Sequence, residues 1–350
     1  MPKTSAYAAP AAGKPLVPFQ IDRREPGPHD VEIDVLFCGV CHSDIHQARD
    51  EWTGATFPMV PGHEIVGRVR RVGGAVKRFR QGDTVGVGCL VDSCRVCDPC
   101  RHDTEQFCEA TAAYTYNGTE MDRVTPTFGG YSKRVVVAEA FVLRIPAGLD
   151  PAAAAPLLCA GITTYSPLRQ WSCEKGDRVG VIGLGGLGHM AVKLAVAMGA
   201  EVTVFSTSKA KEPDARRLGA HAFAQTRDPE VFTTLAKRFD LLVDTISAKH
   251  DYDAHLGLLR PHGVMVVVGV PPEPAPVSAF ALIMGNRRLA GSLIGGIRET
   301  QEMLDFCGTH GIVSDVEIIP IQQINEAYER MLRGDVRYRF VIDLASLPAT

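Results

Sequence analysis

No excess of charge of either sign is present: 37 Lys and Arg stand against 40 Asp and Glu, a formal net charge of -3. Binding nucleic acid or an anionic membrane surface calls for a basic surplus, so neither partner is expected. Long apolar runs are missing as well. The longest, Val264 to Val270, is strand-sized, against the roughly 18 residues that a membrane-spanning helix needs. Met1 to Phe19 is rich in Ala and Pro but has no basic stretch followed by an apolar one, so no export signal is expected. Internal repeats, charge blocks and long low-complexity linkers are also missing. The single Pro-rich stretch, Pro271 to Pro276, reads as a surface loop.

Cysteine, by contrast, is plentiful, with ten residues. In the absence of export, disulfides are not expected, because cytosolic thiols are kept reduced. Closely spaced cysteines in a reducing compartment more often bind metal. The expectation is a cytoplasmic globular protein, and 45% hydrophobic with 22% charged residues suits one with a sizeable core. A length of 350 residues suggests about two domains.

Three zones follow one another along the chain. From about Asp30 to Asp150, short apolar runs (Val31 to Phe37, Ile65 to Val72, Thr84 to Val87, Tyr131 to Val137) alternate with Gly, Pro and charged turns. They read as strands of an all-β, loop-rich module. From about Ala160 to Ile297 the texture becomes βαβ, with strands at Arg178 to Ile182, Glu201 to Phe205, Leu241 to Asp244 and Val264 to Val268, and a helix over Gly186 to Met198. Strands alternating with helices predict a parallel, doubly wound sheet and an α/β class overall. The last zone carries helices at Glu299 to Gly308 and Ile324 to Arg333, then a strand at Tyr338 to Asp343.

Cys94, Cys97, Cys100 and Cys108 are spaced C-x2-C-x2-C-x7-C on one loop. Four thiolates on a short loop can wrap a tetrahedral Zn²⁺ and close its coordination sphere, which predicts a structural zinc. The competing assignments are an iron–sulfur cluster and four unligated thiols. A second set is dispersed. Cys41-His-Ser-Asp-Ile-His46 follows a predicted strand, Pro61-Gly-His-Glu64 comes about twenty residues later, and Cys159 lies in Pro156-Leu-Leu-Cys-Ala-Gly161. Each fragment alone reads as core or surface. Together they offer Cys41, His63 and Cys159, a three-ligand set with an open fourth position, which is what separates a catalytic zinc from a structural one.

Gly183-Leu-Gly-Gly-Leu-Gly188 stands between a predicted strand and a predicted helix, the context that makes G-x-G-x-x-G a dinucleotide fingerprint. Gly183 permits the tight turn, Gly185 lets backbone approach a pyrophosphate and Gly188 lets the helix pack on the sheet. Gly186 and Leu187 open the helix, whose N–H groups and dipole favour phosphate. An NAD enzyme usually ends its second strand in Asp or Glu, which holds the ribose 2′-hydroxyl. Here that strand ends in Ser206-Thr207-Ser208, followed by Lys209 and Lys211, while Glu201 begins it. Hydroxyls with a lysine suit a 2′-phosphate, so NADP(H) is expected over NAD(H).

These motifs, in this order, resemble the zinc-containing medium-chain alcohol dehydrogenases. The segments Val60 to Val66, Gly86 to Cys100, Leu157 to Pro167 and Glu299 to Phe340 resemble its cinnamyl alcohol dehydrogenase-type branch, which includes bacterial NADPH-dependent aldehyde reductases. The resemblance covers nearly the whole chain. It implies a GroES-like, β-rich catalytic domain from residues 1–159 and 298–350, and a Rossmann domain from 160–297. It further implies two Zn²⁺ per chain. Cys41, His63 and Cys159 would bind the catalytic ion, the ligand set known for alcohol dehydrogenases, with Glu64 as an exchangeable fourth ligand. Asp44 would orient a ligand from outside, although a helix-capping role is open to it. Ser43 and His46 would form a proton relay, an imidazole being suited to it by a pKa near neutrality. A plain surface imidazole is the alternative for His46, and a buried hydrogen-bonding carboxylate the alternative for Glu64.

The same resemblance implies that Thr163 lies near the nicotinamide and that the backbone of Val270 and Leu293 faces its carboxamide. Arg339 would reach the pyrophosphate across the domain cleft, Lys211 the 2′-phosphate, and His42 a phosphate. Trp52 and Phe57 would line an aromatic substrate pocket, or else simply pack the core. A homodimer is implied, pairing through the sheet edge near Leu289 to Ile294. Cys38, Cys89, Cys173 and Cys307 match no ligand position and are assigned to packing. The function expected is hydride transfer between NADP(H) and a primary alcohol/aldehyde pair. A zinc polyol dehydrogenase and a non-catalytic NADPH-binding protein are the alternatives.

Overall fold

The computed structural model describes residues 3–348. One unit runs to Cys159 and resumes at Gly295; the other is Ala160–Ile294. The sequence had suggested a return at residue 298.

The first unit is built on a seven-stranded mixed sheet ordered Leu143–Arg144, Thr84–Val87, Ile65–Val72, Asp30–Gly39, Arg339–Asp343, Val316–Pro320, with Arg134–Ala138 also pairing to Asp30–Gly39. The central strand owes its place to alternation: Val31, Ile33 and Val35 are all buried, the period-two pattern of a strand packed on a core. Tyr131, Phe141, Leu157, Leu158 and Phe340 fill the space against it. The register sets the site. Cys38 pairs with Ile65 on one side and Ile342 on the other, and Gly39 pairs with Val341. The chain leaving Gly39 for Cys41, the chain entering at His63 and Glu64, and the start of the strand at Arg339 therefore share one end of the sheet.

Residues Lys3–Ala8 and Val17–Asp22 form an antiparallel pair that the Ala/Pro-rich composition gave no reason to expect. Val316–Pro320, a strand parallel to Arg339–Asp343, was likewise not anticipated. Residues 271–276 form no regular element, as expected of that stretch.

The second unit is an all-parallel six-stranded sheet, ordered Ala222–Gln225, Glu201–Ser206, Arg178–Ile182, Phe239–Asp244, Leu259–Val267, Arg288–Gly291. In chain order this is 3-2-1-4-5-6, the doubly wound arrangement whose switch point lies between the first and fourth strands. Its core includes Ile182, Phe205, Leu242, Leu256, Leu259 and Met265. The helix after the first strand is Gly188–Ala197, starting two residues later than its apolar pattern suggested. Residues 183–187 stay in a turn, which keeps their N–H groups outside the helical ladder.

Candidate functional site

Two groups of metal-type donors lie in the first unit. The sulfurs of Cys94, Cys97, Cys100 and Cys108 all fall within 4.8 Å of one another. Cys94 and Cys100 sulfurs are 3.9 Å apart, and those of Cys97 and Cys108 4.0 Å. A tetrahedron with Zn–S bonds of about 2.3 Å has edges of roughly 3.8 Å, so the four sulfurs are placed as corners around one cation. The loop tunes them unequally. N–H groups of Val96 and Cys97 draw the Cys94 thiol down to about 6, while burial pushes Cys100 up to about 12. A divalent cation is what allows all four to be thiolates together. Replacing Cys100 by Ser is expected to lower the melting temperature by several degrees, a loss of a few kcal/mol of local stability. The zinc content should fall by one ion per chain, as read by elemental analysis.

The second group is Cys41, His63, Glu64 and Cys159, again within 4.8 Å of one another and all buried. Cys41 stands at the N-cap of the helix His42–Ala48, directly after the central strand. His63 and Glu64 precede Ile65–Val72, and Cys159 follows the turn Ala155–Leu158. The Cys41 and Cys159 sulfurs are 4.0 Å apart. Their mutual hydrogen bond holds Cys41 well below the ordinary thiol range and Cys159 well above it. Burial raises the Glu64 carboxyl to about 8, against the pull of Arg339.

One observation tests whether this group suits a cation. Glu64 Oε1 pairs with Arg339, whereas Glu64 Oε2 is fully buried with no hydrogen-bond partner. An unpartnered buried carboxylate oxygen is costly. A Glu64 carboxylate oxygen lies within 4.8 Å of the two sulfurs and the imidazole, which fits the carboxylate to serve as a fourth donor. The mixed S, N and O set, four in number, suits zinc.

Asp44 holds the assembly in place. Its carboxylate is completely buried and accepts hydrogen bonds from Cys41 N (2.9 Å), Gly62 N (3.2 Å) and the Tyr131 hydroxyl (3.2 Å). Asp44 Oδ1 also lies 3.3 Å from His63 Nδ1, which leaves His63 Nε2 available for the donor group. Asp44 closes a capping box with Cys41 at position N3 of the helix, the capping role weighed for it, and the same carboxylate meets His63. Asp44→Asn is expected to weaken zinc retention or turnover about 10- to 100-fold, the usual range for such partners. Titrating the protein with a chromogenic chelator measures it.

Ser43 Oγ is 3.6 Å from Cys41 Sγ. His46, one turn on, donates through Nδ1 to Glu51 at 2.5 Å and stacks on Trp52, ring centroids 4.9 Å apart. Trp52 remains 45% exposed, so it does not pack the core. Phe57 is half-buried. Four contacts here were invisible in the sequence: Glu51 on His46, Tyr131 on Asp44, Tyr116 stacked on His63 at 5.8 Å, and Arg339 on Glu64. Arg339, expected at a pyrophosphate, is 3% exposed, and Glu64 beside it keeps its guanidinium charged against burial. Cys89, assigned to packing, is half-buried, and the nearby Cys159 thiol draws its pKa down.

In the second unit, a Cβ on Gly188 would lie 2.1 Å from the Gly183 carbonyl oxygen, so only glycine permits that approach. A Cβ on Gly185 would meet nothing within 4 Å. The protein's own packing thus leaves space over Gly185, as a cradle for a ligand's phosphates requires. Ser206, at the end of the second strand, is buried and accepts from Ser208 N at 3.3 Å; Thr207 is exposed and Ser208 half-buried. Lys211 Nζ donates to the Leu184 carbonyl at 2.7 Å, bringing the ammonium to the glycine turn. Lys209 points to solvent, as does the large part of Val270 and Leu293. Thr163 is buried in the helix Ala160–Gln170.

Comparison with known proteins gives one consistent result. Residues 27–147 match the family described as alcohol dehydrogenase GroES-like domain, and residues 186–309 match zinc-binding dehydrogenase. The chain is 57% identical to the NADP-dependent alcohol dehydrogenase C 1 of Mycolicibacterium smegmatis, across 99% of both chains. It is 54% identical to the aldehyde reductase YahK of Escherichia coli, again over 99% of both. The solved structure of a cinnamyl alcohol dehydrogenase from Sorghum bicolor aligns with a TM-score of 0.97 at 45% identity, covering 100% of this chain and 99% of the other.

Proposed function

The chain belongs to the zinc-binding alcohol dehydrogenase family, in its cinnamyl alcohol dehydrogenase-type branch, and on that premise we propose an NADPH-dependent aldehyde reductase of broad substrate range. The observation that carries this reading is the buried Cys41, His63, Glu64 and Cys159 group with its unpartnered Glu64 oxygen, in a chain that also holds a G-x-G-x-x-G turn and a second strand followed by hydroxyls and Lys211 rather than ending in a carboxylate.

Zinc supplies Lewis-acid polarisation of a carbonyl oxygen when bound, and NADPH supplies the hydride. Cys41, His63 and Cys159 hold the ion, and Glu64 is its exchangeable fourth donor. Asp44 fixes the His63 ring by the contact at Nδ1. The product alcohol needs one proton at oxygen. The Ser43 hydroxyl delivers it and His46 replenishes it from solvent, with Glu51 holding the ring at Nδ1. Cys94, Cys97, Cys100 and Cys108 hold a second zinc that folds their loop. Ser206, Thr207, Ser208 and Lys211 receive the 2′-phosphate through charge-assisted hydrogen bonds. Gly183, Gly185, Gly186, Leu187 and Gly188 receive the pyrophosphate, while Thr163 and the backbone of Val270 and Leu293 meet the nicotinamide. Trp52 and Phe57 favour aryl and medium-chain aldehydes.

A homodimer is part of the same reading. Strand Arg288–Gly291 ends the parallel sheet, and Phe280, Ile283, Met284 and Leu293 near it are exposed large apolar residues, the kind of patch that a partner covers. Ile283→Asp is expected to shift the sedimentation coefficient from dimer to monomer. A cytoplasmic location is supported by ten free cysteines. Among the described residues no helix is long and apolar enough to cross a membrane.

The test is a substrate panel. With NADPH, benzaldehyde, cinnamaldehyde and butanal are expected to be reduced. Efficient sorbitol oxidation with NADP⁺ and no turnover of those aldehydes would install the polyol reading in its place.

A further inference from the structure

Outside the groups described so far, the most fully buried acid of the second unit is Asp244, the last residue of Phe239–Asp244 and completely inaccessible. It stands at the switch point of the sheet, beside the strand Arg178–Ile182 that runs into the glycine turn. Its partner is His250. His250 Nε2 lies 3.0 Å from Asp244 Oδ2, and His250 Nδ1 lies 2.8 Å from the Ala248 carbonyl oxygen. Both of these oxygens only accept. A neutral imidazole has one N–H and can satisfy one of them, whereas the imidazolium satisfies both. The doubly donating, charged ring is the form that this geometry matches.

The pair closes a loop of six residues after the strand, and that loop backs the fingerprint directly. Thr245 Oγ1 donates to the Ile182 carbonyl at 2.8 Å, immediately before Gly183. Ile246 N donates to Asp244 Oδ1 at 3.1 Å. Ser247 Oγ accepts from Val270 N at 3.3 Å, and Val268 N and Gly269 N donate to the Asp244 carbonyl, lacing this loop to the one after the next strand. Dinucleotides bind at such a switch point, outside the carboxyl ends of the strands.

We propose that His250 is a positioning residue for the cofactor: as an imidazolium bridging Asp244 and Ala248, it locks the loop at 245–250 beneath the glycine turn and so tightens NADPH binding. The proposal rests on the NADPH reading above. Few other groups compete for the ring. His255 and Tyr252 pack against it at centroid distances of 5.4 and 4.8 Å, and Asp251 is the remaining charge that acts on it. Lys249 is occupied with Glu273 at the surface. Burial lowers the His250 pKa, but the hydrogen bonds to Asp244 and Ala248 and the charges of Asp244 and Asp251 together outweigh it, and the net direction is upward from 6.5. The clamp is therefore complete below that raised pKa and is lost as pH rises through it. His255 moves the other way, pushed down by burial.

The experiment is fluorescence titration of NADPH into wild type and His250→Gln at several pH values, with no turnover involved. Gln offers Asp244 a donor but carries no charge. Loss of one charge-assisted hydrogen bond is expected to weaken NADPH about tenfold at pH 6. The gap between the two proteins should close as pH rises through the His250 titration. By linkage, NADPH must also raise the His250 titration midpoint in wild type, which imidazole NMR reads even if His250→Gln does not fold. Parallel pH profiles, equal affinity at pH 6, or an unmoved midpoint overturn the proposal. Failure of wild type itself to bind NADPH would instead overturn the cofactor reading on which it rests.

Discussion

Cys159→Ser is expected to lower kcat for aldehyde reduction by about three orders of magnitude while leaving NADPH binding intact. Cys159 is one of two thiols in the buried donor group, 4.0 Å from its partner Cys41. A serine hydroxyl there is a poor zinc ligand, and the Glu64 oxygen and the Cys41 thiolate would be left buried around a weakened site. Lewis-acid stabilisation is worth several kcal/mol of barrier, and each 1.36 kcal/mol is about tenfold in rate. Zinc content should fall from about two to about one per chain, because the Cys94 to Cys108 lobe keeps its own ion. Elemental analysis with single-substrate kinetics measures both. Near-normal turnover with one zinc per chain would mean that the catalytic centre lies elsewhere.

Ser206→Asp is expected to change cofactor preference by about 100-fold in favour of NADH. The strand Glu201–Ser206 ends where a carboxylate would meet the ribose. Native Ser206 is buried beside the Ser208 amide, and Lys211 is anchored on the Leu184 carbonyl within the glycine turn. An added carboxylate removes a hydroxyl contact to the 2′-phosphate and sets like charges against each other. Two such effects of about 1.4 kcal/mol each amount to roughly 100-fold in affinity. The ratio of kcat/KM values with NADPH and NADH reads the change. An unaltered ratio would place the 2′-phosphate away from Ser206.

The parts of this molecule written in short stretches of chain were readable from the sequence. The four cysteines between Cys94 and Cys108 converge because one loop carries them, and Gly183 to Gly188 form a turn because four glycines permit it. Strand periodicity located Ile65–Val72, Thr84–Val87 and Arg178–Ile182 to the residue. What escaped depends on register between distant strands. Arg339 reaches Glu64 across 275 positions only because Gly39 pairs with Val341. Tyr116 on His63 and Tyr131 on Asp44 likewise follow from how loops return, and neither tyrosine sits in a motif. The hairpin of Lys3–Ala8 with Val17–Asp22 was hidden by its Ala and Pro content, since pairing supplied what propensity did not.

The most direct measurement is graded zinc removal. Protein is treated with increasing chelator, and zinc content and NADPH-dependent cinnamaldehyde reduction are followed in the same samples. Turnover is expected to fall in step with loss of the first zinc per chain and to return when Zn²⁺ is restored, with the second ion leaving only as the protein melts. Undiminished reduction by protein stripped of both ions would contradict the assignment of Cys41, His63 and Cys159 as the centre of the reaction.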